Sequence, residues 1–240
     1  MAITAAALTG SNSTTDASSY NTASITPTAD RLVLAAVLSK KASAPDTPTL
    51  SGNGLTWVQV ATVTFHTIGT PILRLTLFRA MGASPSTGAV TIDFGGATQL
   101  SCAWSLVEFA DIDTGGTNGS AAVVQSATNA ADAVAAQALL TVTLAAFGSA
   151  GNATYGAFGS SNVTTTETVV GSGFTQLHRT GGVDPRTLLT EWRADNDTSV
   201  DAENDEASDT RDMAGIAVEI KAVSAGATHP GWYGQKGGWW

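Results

Sequence analysis

Apolar and polar positions along this chain repeat every second residue far more often than every third or fourth. Ile72 to Arg79 places Leu73, Leu75 and Leu77 on one face and Arg74 and Thr76 on the other. Val90, Ile92 and Phe94 alternate with Thr91 and Asp93, Leu140, Val142 and Leu144 with Thr141 and Thr143, and Ile216, Val218 and Ile220 with Glu219 and Lys221. Alternation of this kind is the signature of a half-buried β-strand. Two other stretches, Arg31 to Ser39 and Gln99 to Ala110, are apolar without alternation and predict strands buried on both faces. Tyr20 to Thr26, Trp57 to Phe65, Ala153 to Ser160, Thr164 to Val170, Phe174 to Arg179 and Arg186 to Arg193 add further β-rich segments. Gly, Pro, Asn and Asp punctuate them, as in the loops 42–54 and 111–120. Residues 10–19 read as a polar lead-in loop and 195–212 as an acidic loop. Residues 129–139 read as a short helix with Asn129 as its N-cap, an ordered loop being the alternative.

About a dozen short antiparallel strands so punctuated predict an all-β fold, a jelly-roll β-sandwich. No strand–helix–strand alternation is visible, which excludes a parallel α/β fold. No fixed-period repeat appears, and no internal linker divides the body, so residues 1–222 are expected to form one jelly-roll domain. Residues 223–240 form a Gly/Trp-rich tail without strand period, carrying three of the six tryptophans.

Composition narrows the functional classes. The 240 residues hold 11 Lys and Arg against 20 Asp and Glu, a formal charge of -9. Phosphate neutralisation needs clustered cations, so nucleic acid is not an expected partner, and an anionic membrane surface is equally unsuited. No stretch is apolar for long enough to span a bilayer. Charged residues make up only 13% of the chain, with Ala, Thr, Ser and Gly in their place. Small uncharged surfaces of this kind suit a protein packed into an assembly. Cys102 is the one cysteine, which leaves no disulfide framework and no thiolate zinc site. The N-terminal segment lacks a basic region followed by an apolar one, so no signal peptide is expected.

Three segments carry a resemblance: Gly52-Asn-Gly-Leu-Thr-Trp57 opening a strand, Leu75-Thr-Leu-Phe-Arg-Ala80 closing one, and Cys102-Ala-Trp-Ser-Leu-Val-Glu-Phe109 leading into Asp111-Ile-Asp-Thr. Over roughly residues 18–222 the chain resembles the jelly-roll structural proteins of tailed bacteriophages, which occur as capsid decoration or tail-associated proteins. The resemblance implies a non-enzymatic virion protein, made in the host cytoplasm and placed on the virion surface. Its partners would be the major capsid or tail protein and copies of itself. It supplies no catalytic residue and no cofactor. A carbohydrate-binding or receptor-binding jelly-roll module, with surface glycans as partner, is the alternative.

Candidate chemistry is sparse. Counted from Asp195, oxygen-bearing side chains fall at the spacing of a calcium loop, with Asp195, Asp197, Asp201 and Glu206 as candidate ligands. Val200 stands where the sharp turn wants glycine, so a solvated acidic loop without metal is the expectation. Glu108, Asp111 and Asp113 invite comparison with the carboxylate pair of a glycosidase. Glu108 and Asp111 are three residues apart and point to opposite faces of a strand, so a strand-end carboxylate and turn-capping aspartates are expected instead. No Gly-x-Ser-x-Gly elbow supports a nucleophilic serine. His178 is expected to be a structural histidine, Cys102 an inert core thiol, and Trp57 and Trp104 core residues. Trp192, between Glu191 and Arg193, can be assigned either to the core or to a surface. Trp232, Tyr233, Trp239 and Trp240 in the tail are expected to bind a partner subunit, with folding back onto the body as the alternative.

Overall fold

The computed structural model describes residues 2–68, 70–132, 139–161, 168–180, 187–204 and 211–224. Among them are sixteen strands and no helix. The first eight are β1 (Thr4–Ser13), β2 (Ser19–Asn21), β3 (Leu32–Lys41), β4 (Thr49–Ser51), β5 (Val58–Phe65), β6 (Ile72–Ala80), β7 (Thr91–Asp93) and β8 (Ser101–Ala110). The second eight are β9 (Val123–Ala131), β10 (Leu139–Thr143), β11 (Ala153–Ser160), β12 (Thr168–Val170), β13 (Thr175–Arg179), β14 (Thr187–Arg193), β15 (Ser199–Asn204) and β16 (Met213–Ile220). All pairings are antiparallel.

The strands build four sheets. In the N-terminal half the orders are β1-β8-β3-β6-β5 and β2-β7-β4; in the C-terminal half they are β9-β16-β11-β14-β13 and β10-β15-β12. These are the same order twice, strand for strand. The correspondence extends to local detail. The β5–β6 ladder has its bulge just after Gln59, and the β13–β14 ladder has its bulge just after Gln176. Each half enters that edge strand through a Gly-x-Gly turn closed by one backbone hydrogen bond, Leu55 N–H to the Gly52 carbonyl (3.2 Å) and Phe174 N–H to the Gly171 carbonyl (3.1 Å). The second glycine lies at positive φ in both, 64° at Gly54 and 82° at Gly173, where a side chain would be strained.

The two five-stranded sheets face one another. Leu34, Leu38, Phe65, Leu75, Val107 and Phe109 from the first half pack against Tyr155, Ala157, Leu188, Ile216 and Val218 from the second in one apolar core. Close approach is needed where Phe65 and Leu38 press on Gly159, since a Cβ there would sit 2.9 Å from the Phe65 ring. The packing is reciprocal: β5 lies against β9, and β1 against β13. That is the pattern of an isologous dimer, formed here within one chain. The segments that follow β8 and β16 pair antiparallel, Ile112 with Ala222, and Val223 N–H donates to the Asp111 carbonyl at 2.9 Å.

Each small sheet covers the outer face of its large one. In the first half Tyr20, Ile92, Phe94, Cys102 and Trp104 fill the space beneath β2-β7-β4. In the second, Leu140, Val142, Phe158, Leu189, Val200 and Ala202 fill the space beneath β10-β15-β12. The result is a β-sandwich of four layers.

Three sequence expectations are corrected. Residues 10–19 are not all loop, because β1 runs to Ser13 as an edge strand held by β8. Asn129 caps no helix: it lies in β9, opposite Gly215 of β16, and its Nδ2–H donates to the Thr141 carbonyl at 2.7 Å. The ladder to β16 supplies the backbone partners that an isolated Ala-rich segment would have sought in a helix. The acidic loop contains β15, the central strand of its sheet, because Val200 and Ala202 alternate with acidic neighbours and are fully buried. Residues 133–138 of the expected helix, 164–167 and 186 of the expected strands and 205–210 of the expected loop lie outside the described residues.

Candidate functional site

Glu108 and Glu219 occupy equivalent positions near the ends of β8 and β16, within Val-Glu-Phe and Val-Glu-Ile. Phe109 pairs with Leu32 in one half, and Ile220 with Ala153 in the other. Each glutamate is buried, 5% and 1% exposed, and each needs donors. Glu108 has them in the loop before β3. Thr28 donates its backbone N–H (2.9 Å) and hydroxyl (3.1 Å), and Arg31 brings its guanidinium to 2.7 Å. Glu219 has two neutral amides instead, from Asn152 (2.5 Å) and Gln125 (2.6 Å). Asn152 stands immediately before Ala153 as Arg31 stands immediately before Leu32, so an asparagine holds the place of the arginine.

A cleft of about 670 Å³ opens beside Glu219. Its walls come from the chain entering β9, the turn 148–152 and the residues that follow β16, and they include Val123, Gly151, Asn152, Lys221 and Ser224. Val124 and Val223 stand exposed at it. The Lys221 ammonium is held at 2.7 Å by Asp113, and Gln125 is fixed by a two-way hydrogen bond with the backbone of Ala145.

A second polar group lies beneath the small sheet of the C-terminal half. Glu191 on β14 is fully buried and pairs across the ladder with Gly156. Its Oε2 accepts the Gly171 N–H at 3.0 Å, and its Oε1 has no partner. Burial, with the Asp201 carboxyl nearby as a lesser cause, pushes its pKa up to about 8, although the Gly171 hydrogen bond opposes the rise. At neutral pH Glu191 is therefore mostly protonated. The equivalent position in the first half is Phe78, opposite Ala35.

The remaining candidates fall as follows. Asp197 accepts from Arg193 (2.8 Å) and from the Ser199 N–H (3.0 Å), so it closes a turn. Asp195 is largely exposed, and Asp201 is on β15. Glu206 lies outside the described residues, among which no group of three or more His, Cys, Asp or Glu is placed to hold a metal. Asp113 caps a turn at the Gly115 N–H (2.8 Å), and Asp111 adopts a left-handed backbone, φ 60°. Glu108 is taken up by Thr28 and Arg31. His178 packs between β13 and β1, and burial lowers its pKa. Cys102 is buried, which pushes its thiol up and leaves it unreactive. Trp104 is buried, Trp57 packs at the edge of the same cluster, and Trp192 stacks edge-on with Phe109 at 6.2 Å, so all three belong to cores. Trp232, Tyr233, Trp239 and Trp240 lie outside the described residues.

Sequence reasoning missed Glu191, Glu219 and Asn152. Glu219 reads as the polar member of an alternating strand, and nothing in that alternation shows that the amides of Asn152 and Gln125 enclose it. No protein-family model, no curated protein and no solved structure matches the chain.

Proposed function

We propose that this chain is a non-enzymatic structural protein of a bacteriophage virion, a decoration protein on the capsid or tail surface, built from jelly-roll units. The observation that supports it is the repeated strand order. Within each half the first strand pairs the eighth, the second the seventh and the third the sixth, as in a long hairpin rolled into a jelly roll. The fifth strand departs from that scheme by pairing the sixth. A body with four sheet layers and a low share of charge offers rigid bulk and small-residue surface, which suits a repeated surface component. Attachment is assigned to the C-terminal segment: Trp232, Tyr233, Trp239 and Trp240 would fill pockets of the major capsid or tail protein or of a further copy.

The glycan-binding alternative is less well supported. It needs an exposed aromatic platform, and the large apolar side chains exposed among the described residues are Ile68, Val124, Leu139 and Val223, none of them aromatic. The deciding experiment is proteomics and cryo-electron microscopy of purified particles, comparing the full chain with one lacking residues 229–240. The chain should be present in many ordered copies, and the shortened one should fold with unchanged melting temperature yet leave the particles. Absence of the chain from particles, with specific glycan binding in solution, would overturn the proposal.

A further inference from the structure

The internal repeat supplies a standard for the cleft beside Glu219. In the N-terminal half a buried glutamate at this register is matched by a guanidinium, Arg31 on Glu108 at 2.7 Å. In the C-terminal half the glutamate is as deeply buried, the guanidinium is replaced by Asn152, and a cleft of about 670 Å³ lies open at the same place. Each oxygen of Glu219 has one amide donor, and a carboxylate oxygen accepts two hydrogen bonds, so acceptor capacity remains on both. The neighbouring cation is not available to use it, because Lys221 is committed to Asp113 at 2.7 Å.

We propose that this cleft binds an arginine side chain of a partner protein, whose guanidinium takes at Glu219 the place that Arg31 takes at Glu108. A planar guanidinium matches a carboxylate with two free acceptor directions better than an ammonium does. The exposed Val124 and Val223 offer apolar surface for its methylene stem. The formal charge of -9 on this chain favours a basic partner. The site is independent of the virion assignment, since it is defined by the repeat and the cleft alone.

The test is a titration of the full chain with n-butylguanidinium, a lone guanidinium on a short alkyl stem, followed by amide NMR. Saturable shifts should appear at Gly148, Ser149, Gly151 and Val124. They should vanish in two variants. Glu219→Gln removes the charge. Asn152→Arg supplies the guanidinium in cis, as Arg31 does, and should also raise the melting temperature, so it keeps the test valid where Glu219→Gln fails to fold. Absence of saturable shifts in the wild-type chain, or shifts that persist in Asn152→Arg, would overturn the proposal. Binding that appears only in Lys236→Ser would also overturn it, because the chain's own terminal lysine would then be the occupant.

Discussion

Glu191→Gln isolates the energetic consequence of placing a carboxyl under the small sheet of the C-terminal half. Glu191 is 0% exposed, and its pKa is raised from 4.5 to about 8. Below about pH 4.5 the group is protonated whether the chain is folded or not, and it contributes no pH dependence to stability there. Between that pH and about 8 the unfolded chain gives up the proton while the folded chain keeps it, so stability falls as pH rises. Each pH unit across that window removes about 1.4 kcal/mol, and the loss levels off above it at about 4–5 kcal/mol. A glutamine keeps the shape and can accept the Gly171 N–H, but it has no proton to lose. The assay is urea unfolding of both proteins at intervals from pH 4.5 to 9. The difference between them cancels the contribution of every other carboxylate. The variant should gain on the wild type steadily with pH, by an amount equivalent to one proton. Parallel curves, separated by a constant at all pH values, would show that Glu191 ionises normally in the folded protein and refute the reasoning.

Two further outcomes follow from the same geometry. Gly10→Val should destabilise the fold by about 1–3 kcal/mol through overpacking, because a Cβ at Gly10 would fall 2.2 Å from the His178 ring; a thermal melt reads the loss, and His178→Ala should relieve part of it in the double variant, whereas additive losses would show that the two do not touch. Calcium should not stabilise the protein, since Asp197 is spent on Arg193 and the Ser199 N–H; a site saturated a hundredfold or more would add roughly 3–4 kcal/mol, so a large rise in melting temperature over an EDTA control would contradict this.

The all-β class was legible because a strand with one face in a core leaves a period-two trace, and Leu73, Leu75 and Leu77 leave it plainly. The duplication was not legible for a physical reason. A sheet order is fixed by pairing and burial, and many sequences satisfy the same burial pattern. The shared words are short and few, such as the Gly-x-Gly turns at Gly52 and Gly171 and the Val-Glu pairs at Val107 and Val218. Insertions of different length separate these words, so no fixed period emerges. Edge strands were missed because they need little apolar surface of their own: β1 and β9 take their backbone partners from β8 and β16 and show mixed burial. The candidate site was illegible for a related reason. Alternation in β16 assigns Glu219 to water, whereas Asn152 from the turn before β11 and Gln125 from the neighbouring β9 enclose it.

Comparison of the halves separates what the fold requires from what each half does with it. Bulge, turn and strand order agree, and each has a steric or hydrogen-bonding cause that any copy must meet. The two differences that matter most exchange side-chain chemistry at fixed register, Phe78 for Glu191 and Arg31 for Asn152. Both make the C-terminal half less self-sufficient. The first replaces an apolar contact by a carboxyl with one oxygen unsatisfied. The second removes an ion pair and leaves a cleft in its place. Neither change helps a half to fold, and the N-terminal half shows that the same architecture does without both. The fold therefore does not dictate them. Their placement in one half sets the two halves apart: Glu191 is enclosed beneath the small sheet, and Glu219 stands beside the cleft at the point where the chain leaves β16.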